Sequence, residues 1–264
     1  MGKEAGNSLV IVDPQNDFCD PGGALYVEGA AGDVERLSRH IAGSGRKYSD
    51  IIVSLDSHDA VAVFHPKFWV DENSRPPAPF TAITPDDFGR KWRTASAENA
   101  PLAKGLMDVM RRKKIESLTI WPEHCVVSTW GHEISGALWG SLRAWSDATR
   151  NPVRYVFKGE NPYTDQFSIF EGVDDSWSDT GFNLDLFERL AGRATVTFAG
   201  EALSHCVESS ISSYVRRLAE GGGSPQSVRL LVDCTSPVTG YDRESSLDRL
   251  VVLGVGFTRS DSLS

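Results

Sequence analysis

Cysteine is scarce in this sequence. The chain of 264 residues contains four cysteines and no CxxC pair. That number is too small for a disulfide-stapled fold of the kind found in small secreted domains. No apolar run approaches the ~20 residues of a membrane span, and the opening MGKEAGNS contains no apolar signal core. We therefore expect a cytoplasmic protein that makes no membrane contact.

Positive charge is also in short supply. Lysine and arginine total 27 against 36 aspartates and glutamates, so the formal net charge is −9. A phosphate backbone repels such a chain, which disfavours nucleic acid as a partner. The basic run 111–114 is most simply explained as the solvated end of a helix.

Three common signatures are missing as well. The sequence has no P-loop, no GxGxxG after its first apolar run, and no GxSxG. Nucleotide-phosphate binding is therefore unsupported, because it relies on glycine-rich turns before a helix. The serine nucleophile elbow of α/β-hydrolases is unsupported for the same reason.

Short apolar runs alternate with longer amphipathic segments along the chain. Runs rich in β-branched residues are typical of strands covered on both faces, and the longer segments are typical of helices. This alternation predicts an α/β fold: a Rossmann-like, doubly wound parallel sheet with helices on both faces, in a single domain over 1–264. The predicted strands are 9–12, 51–55, 118–121, 154–157, 195–199 and 228–232, and the predicted helices are 33–42, 102–114, 131–145, 184–190 and 206–219.

One segment does not follow the alternation. Residues 66–101 are rich in proline, tryptophan and charge and show little periodicity. Connections inside compact domains are rarely that long unless they carry a function. We predict a long insertion at about 66–117 that serves as a lid or a binding loop.

Reactive side chains follow the predicted strands, where open α/β sheets bind their ligands. Asp13 follows the first strand, Lys158 the fourth, and Cys206 the fifth, at the start of a helix. The N–H groups of a helix N-terminus favour a thiolate and can hold an oxyanion, so Cys206 is the candidate nucleophile. Asp13 could accept its proton, and Lys158 could stabilise the charge. Taken singly, Cys206 is equally compatible with a buried, inert thiol. For Asp13 alone a turn cap, and for Lys158 alone a surface ion pair, is the commoner role.

Potential metal ligands occur at the same predicted edge. Asp56 and His58 follow the second strand on one side of an extended run, His65 lies seven residues further on, and His124 follows the third strand. Their oxygen and nitrogen atoms suit Zn²⁺, Fe²⁺ or Mn²⁺. A histidine that is hydrogen-bonded in the core is the alternative for each position.

Five short motifs resemble those of the nicotinamidases, in the isochorismatase-like cysteine hydrolase superfamily. They occur in the order found in that family and extend over about residues 8–240, and the set is far more specific than any single motif. The motifs are DPQNDF at 13–18, DSH at 56–58, WPEHCV at 121–126, FKG at 157–159 and SHCV at 204–207.

The resemblance implies the isochorismatase-like hydrolase fold and a catalytic triad. The residues that match the triad are Asp13, Lys158 and Cys206. It also implies a cis peptide bond at Glu201–Ala202 and an oxyanion hole formed by the N–H groups of Ala202 and Cys206.

The resemblance further implies a divalent metal that contacts the ring nitrogen of the substrate. Asp56, His58 and His124 match its ligands, and His65 lies where some members carry another histidine ligand. The residues that match the walls of the substrate ring are Phe18 and Trp121.

Two residues depart from the family pattern. Glu201 stands where an apolar residue is usual, and Ser204 where an aspartate is frequent. The predicted insertion departs as well, and all three bear on the identity of the substrate.

The sequence therefore predicts a metal-dependent cysteine amidohydrolase acting in NAD metabolism. The favoured reaction converts nicotinamide and water to nicotinic acid and ammonia through a cysteine thioester. A hydrolase of another small amide is one alternative. A non-catalytic scaffold, for example in a ribonucleoprotein, is another. The sequence leaves the metal and the choice between monomer and homo-oligomer open.

Overall fold

A six-stranded sheet forms the centre of the molecule. The computed structural model describes residues 6–262 of the chain. Its strands are β1 (Asn7–Val12), β2 (Tyr48–Asp56), β3 (Trp69–Val70), β4 (Ala82–Ile83), β5 (Arg93–Thr94), β6 (Leu118–Thr119), β7 (Arg154–Lys158), β8 (Thr195–Gly200), β9 (Val228–Leu231) and β10 (Gly256–Thr258). Its helices are α1 (Asn16–Cys19), α2 (Ala30–Ser44), α3 (Ala100–Lys113), α4 (Gly136–Thr149), α5 (Leu184–Ala191), α6 (Glu208–Glu220) and α7 (Arg243–Val252).

The order of strands in the central sheet creates a binding crevice. The order is β10-β9-β8-β1-β2-β7, and all neighbouring strands run parallel. The chain builds outward from β1 through β2 to β7 and then returns to β8 on the other side of β1. Connections that leave the carboxyl ends of two adjacent strands in opposite directions open a crevice between them. The predicted doubly wound parallel sheet is confirmed, and its crevice lies between β1 and β8.

Strand β1 is buried on both faces because helices cover each side of the sheet. Leu9 and Ile11 share one cluster with side chains of α2 and α4. Val10 and Val12 share another with side chains of α5, α6 and α7. Successive side chains of a strand point to opposite faces, so a strand covered on both faces must be apolar throughout.

Five of the six predicted strands lie in the central sheet. The sixth, predicted at 118–121, is a strand only at Leu118–Thr119 and lies outside that sheet. β6 pairs antiparallel with β4 outside that sheet. Leu118 and Ile120 are buried with Met107 and Met110 of α3, so this apolar run packs against a helix instead of entering the sheet. Strand β10 and helix α7 were not predicted; β10 has only three residues, and its Phe257 is 38% exposed.

Helix α4 begins later than predicted, at Gly136 instead of 131. The N–H of Ser135 donates to the carbonyl of Pro14, and Ile134 forms an antiparallel bridge with Gln15. These contacts hold the chain extended beside the loop after β1, which delays the helix. Within residues 6–262, no helix has both the length and the apolar character needed to cross a membrane.

The segment 66–117 packs against the crevice from outside. It contains β3, β4, β5 and α3, and its apolar side chains join one cluster with Phe18 and Trp121. The ring centroid of Phe80 lies 6.0 Å from that of Trp121. The segment therefore supports a wall of the crevice, and its action as a lid stays a prediction.

We expect Leu142→Ala to destabilise the protein by about 2–5 kcal/mol, because it leaves a cavity in the core. Leu142 is fully buried between α4 and the sheet, whereas Val252 at the end of α7 is 86% exposed. Val252→Ala is therefore the matched control, with an expected change below about 0.5 kcal/mol. Urea unfolding measures both free energies. Equal values for the two variants would contradict this packing.

Candidate active site

The strands deliver four reactive side chains to the carboxyl edge of the sheet. Asp13 is the first residue after β1, and Asp56 and Lys158 are the last residues of β2 and β7. Cys206 lies in the turn after β8. All four side chains are buried, so their charges act on one another with little solvent screening.

Lys158 lies at the centre of this group. Its Nζ is 2.9 Å from Asp13 Oδ2, 2.8 Å from Asp56 Oδ1 and 3.5 Å from Cys206 Sγ. The ammonium also donates a hydrogen bond of 3.2 Å to the carbonyl of Gln166. A buried ammonium is tolerated only when anions and hydrogen bonds replace its hydration. The two carboxylates and the carbonyl provide that replacement.

Asp13 is held in place by the neighbouring strand. The hydroxyl of Ser54 donates to Asp13 Oδ1 at 2.6 Å and accepts from the Asp13 N–H at 3.1 Å. Asp13 has a φ of 44°, in the left-handed region that non-glycine residues rarely adopt. Such strain persists only where surrounding contacts enforce it, and it is common at functional sites.

Cys206 lies in a π-helical turn, Leu203–Val207, instead of at the first position of a helix as predicted. Helix α6 begins two residues later, at Glu208. In a π-helix an N–H donates to the carbonyl five residues earlier, which makes the turn wider than that of an α-helix. Such turns occur frequently at functional sites. The peptide bond Glu201–Ala202 is cis, as the motif implied. Within residues 6–262 the N–H of Ala202 donates to no backbone carbonyl.

The burial of these groups determines their resting charges. Burial raises the pKa of the Asp13 carboxyl, although Lys158 opposes the shift. Burial also raises the pKa of the Cys206 thiol well above its usual value. Burial acts in the opposite sense on Lys158, but the carboxylates of Asp13 and Asp56 outweigh it and keep the pKa of Lys158 well above its usual value. These shifts leave Cys206 as a thiol and Lys158 as an ammonium.

Asp56 connects this group to a cluster of histidines. Its Oδ1 faces Lys158, while its Oδ2 lies 3.0 Å from His58 Nε2 and 3.7 Å from His124 Nε2. Ligand atoms of Asp56, His58 and His124 all lie within 4.8 Å of one another. Burial alone would raise the pKa of Asp56, but His58 and Lys158 outweigh it and hold that pKa well below its usual range.

Backbone carbonyls orient the histidine rings. The Nδ1 atoms of His58, His65 and His124 each lie at hydrogen-bond distance from a carbonyl oxygen. These contacts leave the Nε2 atoms to face outward from the carbonyls, the usual arrangement when histidine ligates a metal through Nε2. The carbonyls are those of Gly159 for His58 (3.0 Å), Asp59 for His65 (3.2 Å) and Pro122 for His124 (2.7 Å).

His65 lies beside the close group formed by Asp56, His58 and His124 but is not part of it. Its ring centroid is 5.6 Å from that of His58 and 5.4 Å from that of His124. Its Nε2 is buried and has no hydrogen-bond partner within residues 6–262. Burial, helped by the two neighbouring rings, lowers the pKa of His65 to about 3, so the ring is a neutral imidazole. An orphaned neutral nitrogen beside one carboxylate and two imidazoles fits a divalent metal.

Gly159 makes room for both groups. It has a φ of 72°, and a Cβ at this position would lie 2.4 Å from His58 Cε1 and 2.8 Å from Asp56 Oδ1. A side chain would therefore displace residues of the histidine cluster. The lysine and glycine of the FKG motif thus have separate roles.

A small cavity opens onto Cys206 and the histidine cluster. Phe18 and Trp121, the predicted ring walls, both line it. The ring centroid of Trp121 is 5.1 Å from that of His205, in an edge-to-face arrangement. An apolar, mostly aromatic cavity with a few polar groups is typical of a small-molecule site. The remaining lining residues are Leu25, Asp56, His58, Phe64, His124, Asp165, Phe167, Ala202 and Val238.

Several of these lining residues were missed by the sequence analysis. Phe64 and Phe167 come from irregular loops, where no periodicity marks a side chain as inward-facing. Asp165 is a buried carboxyl whose pKa is raised by burial and by Asp56 to about 7. Its only sequence signal is its position in the loop after Lys158. His205 adjoins Cys206, and that adjacency could have marked it.

Known proteins resemble this chain in sequence and in fold. No protein-family model matches the sequence. The chain is 26% identical over 243 residues to a nicotinamidase/pyrazinamidase of Mycobacterium tuberculosis, an alignment that covers 92% of this chain and 93% of that protein.

Solved structures share the architecture over nearly the whole chain. The yeast nicotinamidase bound to the inhibitor nicotinaldehyde has a TM-score of 0.68 at 20% identity and covers 96% of this chain and 99% of its own. The pyrazinamidase of Pyrococcus horikoshii in complex with zinc has a TM-score of 0.57 at 20% identity, with coverage of 96% and 98%. The fold is therefore that of the isochorismatase-like hydrolases. The resemblance to the nicotinamidases of this superfamily, which the motifs indicated, is confirmed.

We expect chelator-treated protein to bind one Zn²⁺ per chain, with a rise in Tm on binding. His124→Ala should weaken binding at least about 10-fold, because it removes one of the few candidate ligands. His40 is the matched control, since it bonds Tyr48 and Ser260 away from the cluster, and His40→Gln should bind as wild type does. Isothermal titration measures both affinities. Unchanged affinity in His124→Ala would exclude this site.

Proposed function

We propose that this chain is a cysteine amidohydrolase that cleaves the C–N bond of a small carboxamide, with nicotinamide as its substrate. The observation that carries the proposal is the buried contact of Lys158 with Asp13, Asp56 and Cys206. A thiol, a carboxylate and an ammonium in contact beside an apolar cavity are what nucleophilic acyl transfer requires. Similarity to nicotinamidases over nine-tenths of the chain supports the substrate class.

The first half of the reaction transfers the acyl group to sulfur. Asp13 accepts the proton of the Cys206 thiol, and the thiolate attacks the amide carbonyl carbon. The carbonyl oxygen becomes an oxyanion that the N–H groups of Ala202 and Cys206 hold. Asp13 then returns its proton to the nitrogen, the C–N bond breaks, and ammonia leaves a thioester on Cys206.

The second half hydrolyses the thioester. Asp13, again a carboxylate, removes a proton from a water molecule that attacks the thioester carbonyl. The same two N–H groups hold the second oxyanion. The C–S bond breaks, the Asp13 proton passes to sulfur, and the free thiol and the carboxylic acid product are restored. Lys158 keeps Asp13 ionised before each transfer.

The histidine cluster suits substrate orientation. Asp56, His58 and His124 would hold a divalent ion, with His65 as a fourth candidate. Such an ion would supply a positively charged contact for a ring nitrogen of the substrate. The aromatic walls Phe18 and Trp121 would then fix the plane of the ring, with its amide toward Cys206.

The cavity also bears on the alternatives. Its aromatic lining favours a small, flat substrate, which keeps other small aromatic amides as candidates. The buried carboxyl of Asp165 is a feature that could favour an amide with a hydrogen-bond donor on its ring. The scaffold alternative gains no such support, because a retired site has no need of a buried, charge-paired lysine.

We expect purified, metal-loaded protein to release ammonia from nicotinamide, and Cys206→Ala to reduce kcat by at least about 1,000-fold, because no other group can form the thioester. Cys234→Ala is the matched control, since Cys234 is a buried cysteine outside the cavity. An enzyme-coupled ammonia assay measures both variants. Full activity in Cys206→Ala would refute the mechanism. Activity only on other small amides would overturn nicotinamide as the substrate but would support the cysteine mechanism.

As the pH is lowered, kcat/KM should begin to fall at a pH above the pKa of an ordinary aspartate. Asp13 must be ionised to accept the thiol proton, and burial raises its pKa above 3.8. Activity is therefore lost as the pH falls through that raised pKa. Initial rates between pH 4 and pH 8, with folding checked at each pH, test this expectation. An acid limb below the ordinary value would contradict it.

A further inference from the structure

Glu201 is a buried acidic side chain to which the proposed mechanism gives no part. It directly precedes Ala202, whose N–H is a proposed oxyanion donor, and its exposed fraction is 0%. Its backbone N–H donates to the carbonyl of Val12, next to Asp13, at 2.8 Å. The residue is therefore joined by its backbone to the end of β1, and its side chain is fully buried.

Ser236 joins the Glu201 side chain to the nucleophile turn. Its N–H donates to Glu201 Oε2 at 3.1 Å, and its carbonyl accepts from the N–H of Leu203 at 2.8 Å. Two residues on either side of Ala202 are thus attached to the same residue of the loop after β9. The position of the Ala202 N–H depends on both attachments.

Asp33 of α2 lies on the other side of Ser236. The Ser236 hydroxyl donates to Asp33 Oδ2 at 2.5 Å, and Arg36 pairs with Asp33 Oδ1 at 2.5 Å. Asp33 and Glu201 are both buried, and Glu201 Oε1 has no hydrogen-bond partner within residues 6–262. Asp33 has a cation and a hydroxyl as partners. Among the described residues, Glu201 has neither a cation within salt-bridge distance nor a partner for its second oxygen.

We propose that Glu201 is a protonated, neutral carboxylic acid that donates its proton to Asp33 and, as a positioning residue, holds the Ala202 N–H in place for the oxyanion. One arginine compensates one carboxylate, so the second acid must keep a proton when both are buried. The proton also provides the partner that Oε1 lacks. The kinetic part of this inference rests on the proposed function, and the acid pair itself does not.

The other groups around Glu201 favour its neutral form. Burial, and next the charge of Asp33, raise the pKa of Glu201 well above its usual value, and a side-chain hydrogen bond with Asp33 adds to the rise. The N–H of Ser236 and, after it, Arg243 of α7 act in the opposite direction. The guanidinium of Arg243 is engaged with the carbonyls of Thr235 and Val232. Cys19 of α1 also lies near, and its thiol is uncharged because burial raises its pKa well above the usual value.

The pH dependence of stability tests the acid pair without any assay of activity. A raised pKa in the folded state means that wild type loses stability as the pH rises above the ordinary pKa of glutamate, because the unfolded chain gives up the proton first. Glu201→Gln carries an amide that donates to Asp33 and accepts from Ser236 but does not titrate. The Tm of Glu201→Gln minus that of wild type should therefore increase by about 2 °C or more per pH unit between pH 5.5 and 8.

Glu72→Gln, at an exposed position, is the matched control and should show a constant difference in Tm from wild type. A difference for Glu201→Gln that stays constant or falls with pH would overturn the proposal, since a Glu201 kept ionised by cations does not titrate between pH 5.5 and 8 and predicts a constant difference. Scanning calorimetry at four pH values resolves these outcomes.

Kinetics tests the positioning role. Glu201→Leu removes the contacts of the carboxyl with the Ser236 N–H and with Asp33, so kcat should fall at least about 10-fold while KM changes less than about 3-fold, because the oxyanion forms only after binding. Glu201→Gln should rescue kcat to within about 3-fold of wild type. A loss in the glutamine variant equal to that in the leucine variant would overturn the role. If wild type itself is inactive, the proposed function fails, and the Tm series still decides the acid pair.

Discussion

The contact between Lys158 and two carboxylates is the interaction on which this structure depends. The three side chains come from the ends of β1, β2 and β7, and Lys158 is paired in register with Asp56 while also reaching Asp13 beyond it. Removing either carboxylate would leave a buried ammonium under-compensated, which is among the most destabilising changes a core can suffer. The same contact orders the charges for acyl transfer. Both the stability of the fold and the proposed chemistry therefore require the parallel register that pairs Asp56 with Lys158.

Asp56 links the Lys158 contact to the histidine cluster, because its two oxygens face different groups. One oxygen faces the lysine and the other faces His58 and His124. A change in charge on either side is consequently felt on the other through a single carboxylate. The nucleophile and the candidate metal ligands are thus parts of one electrostatic unit, although they come from separate stretches of sequence.

Much of this arrangement could be predicted from the sequence. Buried strands are recognisable as apolar runs, and parallel strands end at one edge, so the side chains after β1, β2, β7 and β8 were expected to meet. The run 118–121 was misassigned because burial beneath α3 and burial within a sheet require the same apolar residues. The walls formed by Phe64 and Phe167 could not be predicted, because loops have no period that marks an inward side chain. The acid pair of Glu201 and Asp33 joins residues far apart in sequence, and only the tertiary fold brings them together.

Gly159 shows how closely the two parts of the site are packed. A single methyl group there would meet the ring of His58 and the carboxylate of Asp56 at once. The residue performs no chemistry, yet substituting it would disturb the lysine strand and the histidine cluster in one step. Neither part can therefore be remodelled in isolation: an engineer who enlarges the cavity or retunes the ligand set must work around a position that tolerates no side chain.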